Sequence, residues 1–159
     1  MIELGTKVKD LITGFTGVAV ARTEWLYGCA RIVVESTELK DGVPISPQWF
    51  DEQRVEEIEG APKFPVSPAR CGVDIQLGYK VKDKITGFVG TAVGKTIWSS
   101  GNVTFQVESS ELSDKKKPIE TQAFEYHRLE LVQEAKAPMS AQANPKAPGG
   151  PRNDPVQAM

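Results

Sequence analysis

Apolar and polar positions alternate in short runs along the chain, and the runs are rich in Val, Ile and Thr and interrupted by Gly, Pro and Asp. A period of two with β-branched residues signals strands, each with one face turned toward a core. The pattern predicts strands near residues 7–12, 17–25, 30–36, 48–50 and 54–58, and a second series near 80–85, 90–98, 103–109, 122–124 and 128–132. Gly14 and Gly17, with Gly87 and Gly90, fall where the first two strands of each series must turn, and at least one glycine of each pair is expected at positive φ. Five short strands in so little chain predict a small, strongly bent all-β unit.

The two series are copies of one unit. Ile-x-Leu-Gly-x-Lys-Val-Lys-Asp begins at Ile2 and again at Ile75, and at this offset of 73 about 23 of the 40 positions from 2 to 41 are identical. After a one-residue slip Pro44 matches Pro118, and Phe50, Arg54 and Glu56 match Phe124, Arg128 and Glu130. Equivalent core positions are expected at Val8 and Val81, Val20 and Val93, Val34 and Val107, and Phe50 and Phe124. The chain divides into a first copy at 1–59, a Pro-rich linker at 60–74, a second copy at 75–134 and a tail at 135–159. The linker, with Pro62, Pro65 and Pro68, shows no apolar periodicity and is expected to be partly extended. The tail is built of Ala, Pro, Gly, Asn and Gln, so it gains too little from burial to order itself alone and is expected to act as an arm on a partner.

The pattern Leu4-Gly5-x-Lys7-Val8-Lys9-Asp10-x-Ile12-Thr13-Gly14-Phe15-x-Gly17-x-Ala19, with Trp25, Gly28-Cys29 and Trp49-Phe50-Asp51, resembles a family of small bacteriophage proteins, and the strand order is similar to that of SH3-like barrels. The resemblance implies two tandem SH3-like small barrels with an extended C-terminal tail, and it brings no activity with it. It covers residues 2–58 and 75–132. The second copy departs from the pattern with Asn102 in place of Cys29 and Ala123 in place of Trp49.

Charge narrows the partners. The 19 Lys and Arg against 21 Asp and Glu give a net charge of −2, opposite to the basic excess that neutralises phosphates, so nucleic acid is not expected as a partner. The first copy carries 6 basic and 11 acidic residues over 1–60, and the second 8 of each over 75–134, which favours protein partners. No apolar run approaches the roughly 20 residues of a membrane span, and the N-terminus has no secretory pattern. Cys29 and Cys71 lie outside any CxxC spacing and are expected as free thiols.

The candidate binding residues are Trp25, Trp49, Trp98, Lys9 and Lys82. Trp25 and Trp98 sit at equivalent strand ends, where an indole either fills the core or stacks on a ligand. Trp49 occurs in one copy only and suits a copy-specific surface contact. The Lys-Val-Lys stretches put Lys7 with Lys9, and Lys80 with Lys82, on one strand face, where they either meet phosphate or guard a sheet edge. Lys115-Lys116-Lys117 reads as a solvated loop. No catalytic residues, cofactor or metal are expected: His127 is a lone histidine opposite Gln53, Gly14-Phe15-Thr16-Gly17 is too short to cradle phosphate, and Glu35 with Glu38, repeated as Glu108 with Glu111, reads as solvated.

These readings point to a non-enzymatic phage structural or accessory protein that binds other proteins, in the virion or the host cytoplasm, as a decoration or connecting component. Phage structural proteins are the expected partners, with a homo-oligomer as a further assembly. The alternatives are a binder of a small nucleotide signal acting against host defence, through symmetry-related pockets that gather Trp25, Trp98, Lys9 and Lys82, and a module for nucleic acid or a host regulator.

Overall fold

A computed structural model describes residues 1–71 and 75–134; the expectation of an extended arm at 135–159 lies outside the described residues. The first copy contains β1 (Lys7–Asp10), β2 (Thr16–Trp25), β3 (Arg31–Glu35), β4 (Leu39–Lys40), β5 (Val43–Pro44), β6 (Gln48–Asp51) and, after a 3₁₀ turn at Glu52–Arg54, β7 (Val55–Glu57). The second contains β8 (Lys80–Asp83), β9 (Val89–Trp98), β10 (Val103–Glu108), β11 (Gln122–Glu125) and, after a 3₁₀ turn at Tyr126–Arg128, β12 (Leu129–Gln133). All ten expected strands are present. The short β4–β5 hairpin was not expected, although Asp41-Gly42, both at positive φ (53° and 78°), is the dipeptide that a tight two-residue turn demands.

All ladders are antiparallel. Within a copy the strand order is β7-β1-β2-β3-β6, repeated as β12-β8-β9-β10-β11. The copies are not separate bodies on a string, because β2 also pairs with β9 and joins everything into one ten-stranded sheet. Each long strand manages this by changing partner along one edge. Residues 16–18 of β2 pair with β1, residues 21–25 pair with β9, and between them Val20 is a bulge that has no partner in β3. Val93 is the matching bulge in β9. No ladder among the described residues joins β6 to β7 or β11 to β12. The all-β class therefore holds, while closed SH3-like barrels are not found.

Each copy keeps its own core. Val8, Ala19, Ile32, Val34, Phe50 and Val55 form the first, and Val81, Ala92, Phe105, Val107, Phe124 and Leu129 stand at the equivalent places in the second, with Ile75 and Val103 added. Three of the four expected core pairs are there. Val20 and Val93 are not, because each directly follows a core alanine, Ala19 or Ala92, and alternation puts it, half-buried, on the opposite face of the sheet.

One polar contact recurs at the core boundary. Asp10, buried at the end of β1, accepts from the Thr13 amide at 2.8 Å and the Thr13 hydroxyl, which folds the turn, and holds Arg54 through two parallel bonds of 3.0 and 2.9 Å. Arg54 in turn covers the Phe50 ring at 5.3 Å, and Phe50 meets Phe15 at 5.7 Å. Asp83, Thr86, Arg128, Phe124 and Phe88 repeat every contact. The bidentate guanidinium, helped by the threonine donors, holds both aspartates well below the usual carboxylate range against the opposing effect of burial.

Two predictions follow from these turns. Because both aspartates have depressed pKa values when folded, their contribution to stability is fully present above about pH 4, the ordinary Asp value, and is lost as pH falls further. Thermal melts should be flat from neutrality to about pH 5 and decline steeply below; an unchanged melting temperature down to strongly acid pH would contradict this. The glycines should separate by mechanism. Gly14, at φ 76° with open space around it, should cost about 1 kcal/mol as Ala through backbone strain alone. Gly17 has ordinary φ, but a Cβ there would stand 2.3 Å from the Glu35 carbonyl oxygen, so Gly17→Ala must push β3 off β2 and should cost more than Gly14→Ala in urea unfolding.

Candidate functional site at the junction of the two copies

The β2–β9 ladder is two-fold symmetric in its own register. Ala21 pairs with Trp98 and Trp25 with Gly94, and the repeat offset of 73 converts one pair into the other. Thr23 and Thr96 lie at the centre, fully buried, their hydroxyls 2.7 Å apart. Since the two side chains meet on one face, the pseudo-axis runs normal to the sheet and carries features of one copy to the same face of the other. The ladder is lengthened at both ends by the bulges, as Ser99 N donates to Val20 O at 2.7 Å and Leu26 N to Val93 O at 2.8 Å.

The tryptophans clamp this junction. The Trp25 ring lies over Gly94, where a Cβ would come within 2.8 Å of it, and Trp98, opposite Ala21, donates from Nε1 to Thr104 Oγ1 at 3.3 Å. Both are half-buried, and neither belongs to a core cluster. Filling the core is therefore not their role. Gln106, which replaces Val33 of the first copy, donates to Thr96 Oγ1 at 3.2 Å and leaves its buried Oε1 without a partner among the described residues.

Two quasi-equivalent concavities flank the axis. The first, of about 360 Å³, is lined by Val18, Val20, Glu35, Ser36 and Thr37 of one copy, Ser99 of the other, and Gly5, Phe64 and Pro65. The second, of about 260 Å³, is lined by the counterparts Thr91, Val93, Glu108, Ser109 and Ser110, with Leu26 and Tyr27 reaching across. The bulged valines form the apolar part, and each concavity carries one carboxylate, Glu35 or Glu108, that no described cation pairs with. From sequence Glu35 and Glu108 read only as solvated acids; the recurrence of Val34-Glu35-Ser36 as Val107-Glu108-Ser109 is the signal that could have marked this site. The missing Cβ of Gly17 and Gly90 admits the Glu35 and Glu108 backbones close against the neighbouring strand.

The residues singled out from sequence do not assemble there. Trp25 and Trp98 stand at opposite ends of a five-residue ladder, about 13 Å apart along the strands. Lys9 pairs in register with Thr16, nine positions from Trp25 along β2, and with Glu56 on its other side. Lys82 approaches Glu130, the counterpart of Glu56, at 3.7 Å. The lysine faces are thus set against glutamates, and since β1 and β8 are inner strands they guard no edge. Trp49 lies on β6, 43% exposed, away from both concavities. His127 is exposed beside the Tyr126 ring, and no group of His, Cys, Asp and Glu among the described residues is arranged to hold a metal ion. No helix of the described residues is long and apolar enough to cross a membrane. Comparison with protein-family models, with curated proteins and with solved structures found no match.

The threonine pair sets a graded expectation. Thr23→Val removes one neutral hydrogen bond and should cost about 1 kcal/mol. Thr96→Val should cost more, because it also takes away the acceptor of the Gln106 amide. Equal costs in urea unfolding would show that the Gln106 contact contributes nothing.

Proposed function

We propose that this chain is a non-enzymatic bacteriophage protein that works by binding other proteins, a decoration or connecting component of the virion. The observation that supports this reading best is the presence of large aliphatic residues at equivalent surface positions of both copies. Ile12 and Ile85, at the hairpin tips, are 73% and 74% exposed, and Leu39 and Leu112 are 65% and 60% exposed. Leaving such side chains in water forgoes about 1.5–3 kcal/mol each relative to full burial. Single exposed aliphatics are ordinary on any surface. Here the same positions stay aliphatic in both copies while their neighbours change from Leu11 to Lys84 and from Lys40 to Ser113. The shared ladder holds the two sets in fixed geometry, which suits bivalent attachment to a repeated partner surface, where a second weak contact multiplies the first.

The paired concavities favour a second reading, a small-molecule binder. Their volumes are at or below the low end for ligand pockets, and their lining has carboxylates and no cationic side chain, so a neutral or cationic ligand fits better than a nucleotide. The test of the main reading is co-sedimentation of the purified chain with phage particles. Ile12→Asp or Ile85→Asp alone should weaken retention tenfold or more and the double variant should abolish it, with the melting temperature nearly unchanged because the sites are at the surface. Wild-type retention by the double variant would overturn the reading.

A further inference from the structure

The two concavities beside the junction share a composition that the repeat alone does not supply. Each has a bulged valine, Val20 or Val93, in its apolar wall. Each has an acid at the end of β3 or β10, Glu35 or Glu108, followed by two hydroxyl residues, Ser36 with Thr37 or Ser109 with Ser110. Each also has an aromatic ring, and in this the copies differ. Tyr27 brings a ring to the second concavity from the turn after β2, and its counterpart in the second copy is Ser100. The first concavity takes its ring from the linker instead, as Phe64. The Phe64 amide donates to the Gly5 carbonyl at 2.8 Å, and Gly5, at φ 83°, admits the linker because a Cβ there would stand 2.4 Å from the Phe64 carbonyl oxygen. Two segments with no repeat relation thus set a ring beside the same carboxylate.

The acids stand on backbone that is fixed in both copies. Their carbonyls lie so close to Gly17 and Gly90 that a Cβ would come within 2.3 or 2.4 Å of them, and the hydroxyls of Ser36 and Ser109 each accept the amide two residues on, from Glu38 or Glu111, at 3.1 Å. A long basic side chain is what such a site complements. Its methylene stem covers Val18 and Val20, or Val93 and Leu26, as an amphipathic side chain does on any apolar wall. Its charge meets the carboxylate, the ring face attracts it further, and the hydroxyl oxygens accept its N–H donors. An anionic group would be repelled by Glu35 or Glu108, and an apolar one would take water from the carboxylate and give nothing in return. The volumes of about 360 and 260 Å³, small for a whole ligand, suit one side chain.

Resting on the reading of this chain as a binder of proteins, we infer that each concavity receives one lysine or arginine side chain of the partner, so that a single chain grips two basic residues at quasi-equivalent sites. The probe is the peptide acetyl-Ala-Lys-Ala-amide, and the same peptide with norleucine for lysine keeps the stem and removes the charge. Titrated into the ¹⁵N-labelled full chain, the lysine peptide should give saturable shifts of the Ser36, Thr37 and Ser99 amides and, separately, of the Thr91, Ser109 and Ser110 amides. It should bind about fivefold more tightly than the norleucine peptide. Glu35→Gln should abolish the first set of shifts alone and Glu108→Gln the second alone, each with the melting temperature unchanged because the side chains are exposed. Equal binding of the norleucine peptide, lysine binding that survives both substitutions, or shifts that never saturate would overturn the inference. The peptides need no phage particle. A chain that binds lysine here and does not co-sediment loses only the virion assignment, and one that co-sediments without binding lysine loses only this inference.

Discussion

The bulge in each long strand is the constraint on which the rest of the molecule depends. An unbroken β2 of ten residues would keep one neighbour along each edge, and the two copies would share nothing but a linker. With Val20 out of register, β2 leaves β1 and its edge becomes available to β9, while the Val20 carbonyl, freed from β3, accepts from Ser99 instead. The same displaced residue supplies the apolar part of a concavity. One extra residue per strand therefore sets the joint between the copies and the shape of the surface beside it.

Within each copy, electrostatics does what so small an apolar core cannot. Five buried side chains accompany Phe50 and seven accompany Phe124, and no ladder among the described residues spans the open side between β6 and β7 or between β11 and β12. There the Asp10–Arg54 and Asp83–Arg128 pairs tie the first strand to the segment leading into the last, and the guanidinium covers the aromatic ring that would otherwise face water. An ion pair with one buried partner is costly to break from either side, because the remaining charge is left without compensation.

The sequence made the strands legible because alternation and glycine spacing are local, and it made the equivalences legible because the unit occurs twice. It did not reveal the merging of the sheets. Nothing in the period of residues 21–25 distinguishes an edge that meets solvent from one that meets another copy, and Thr23, a polar residue in an apolar strand, was the one available sign. Asp10 and Arg54 were each visible as matched to Asp83 and Arg128, yet their pairing needs the fold. The tryptophans read as core or ligand platform because indoles usually serve one or the other; packing across a strand junction, Trp25 over Gly94 and Trp98 opposite Ala21, is a third use that only the register exposes. The linker has no strand or helix period, yet its amides bond at every third residue, Phe64 to Gly5, Ser67 to Ser99 and Arg70 to Gly101, an order that apolar patterning does not carry.

The threonine pair carries a consequence about descent. A residue on a two-fold axis faces its own image, so it must complement itself: a hydroxyl can give to and take from another hydroxyl, while two ammoniums or two carboxylates would repel. Thr23 meeting Thr96 is the contact expected of a symmetric dimer of single units that was later fused into one chain. Fusion lifts that obligation everywhere off the axis, because each half can then change without its twin. Ala21 against Gly94 and Val33 against Gln106 are positions where the halves have already parted, and the junction has become a heterodimer within one polypeptide.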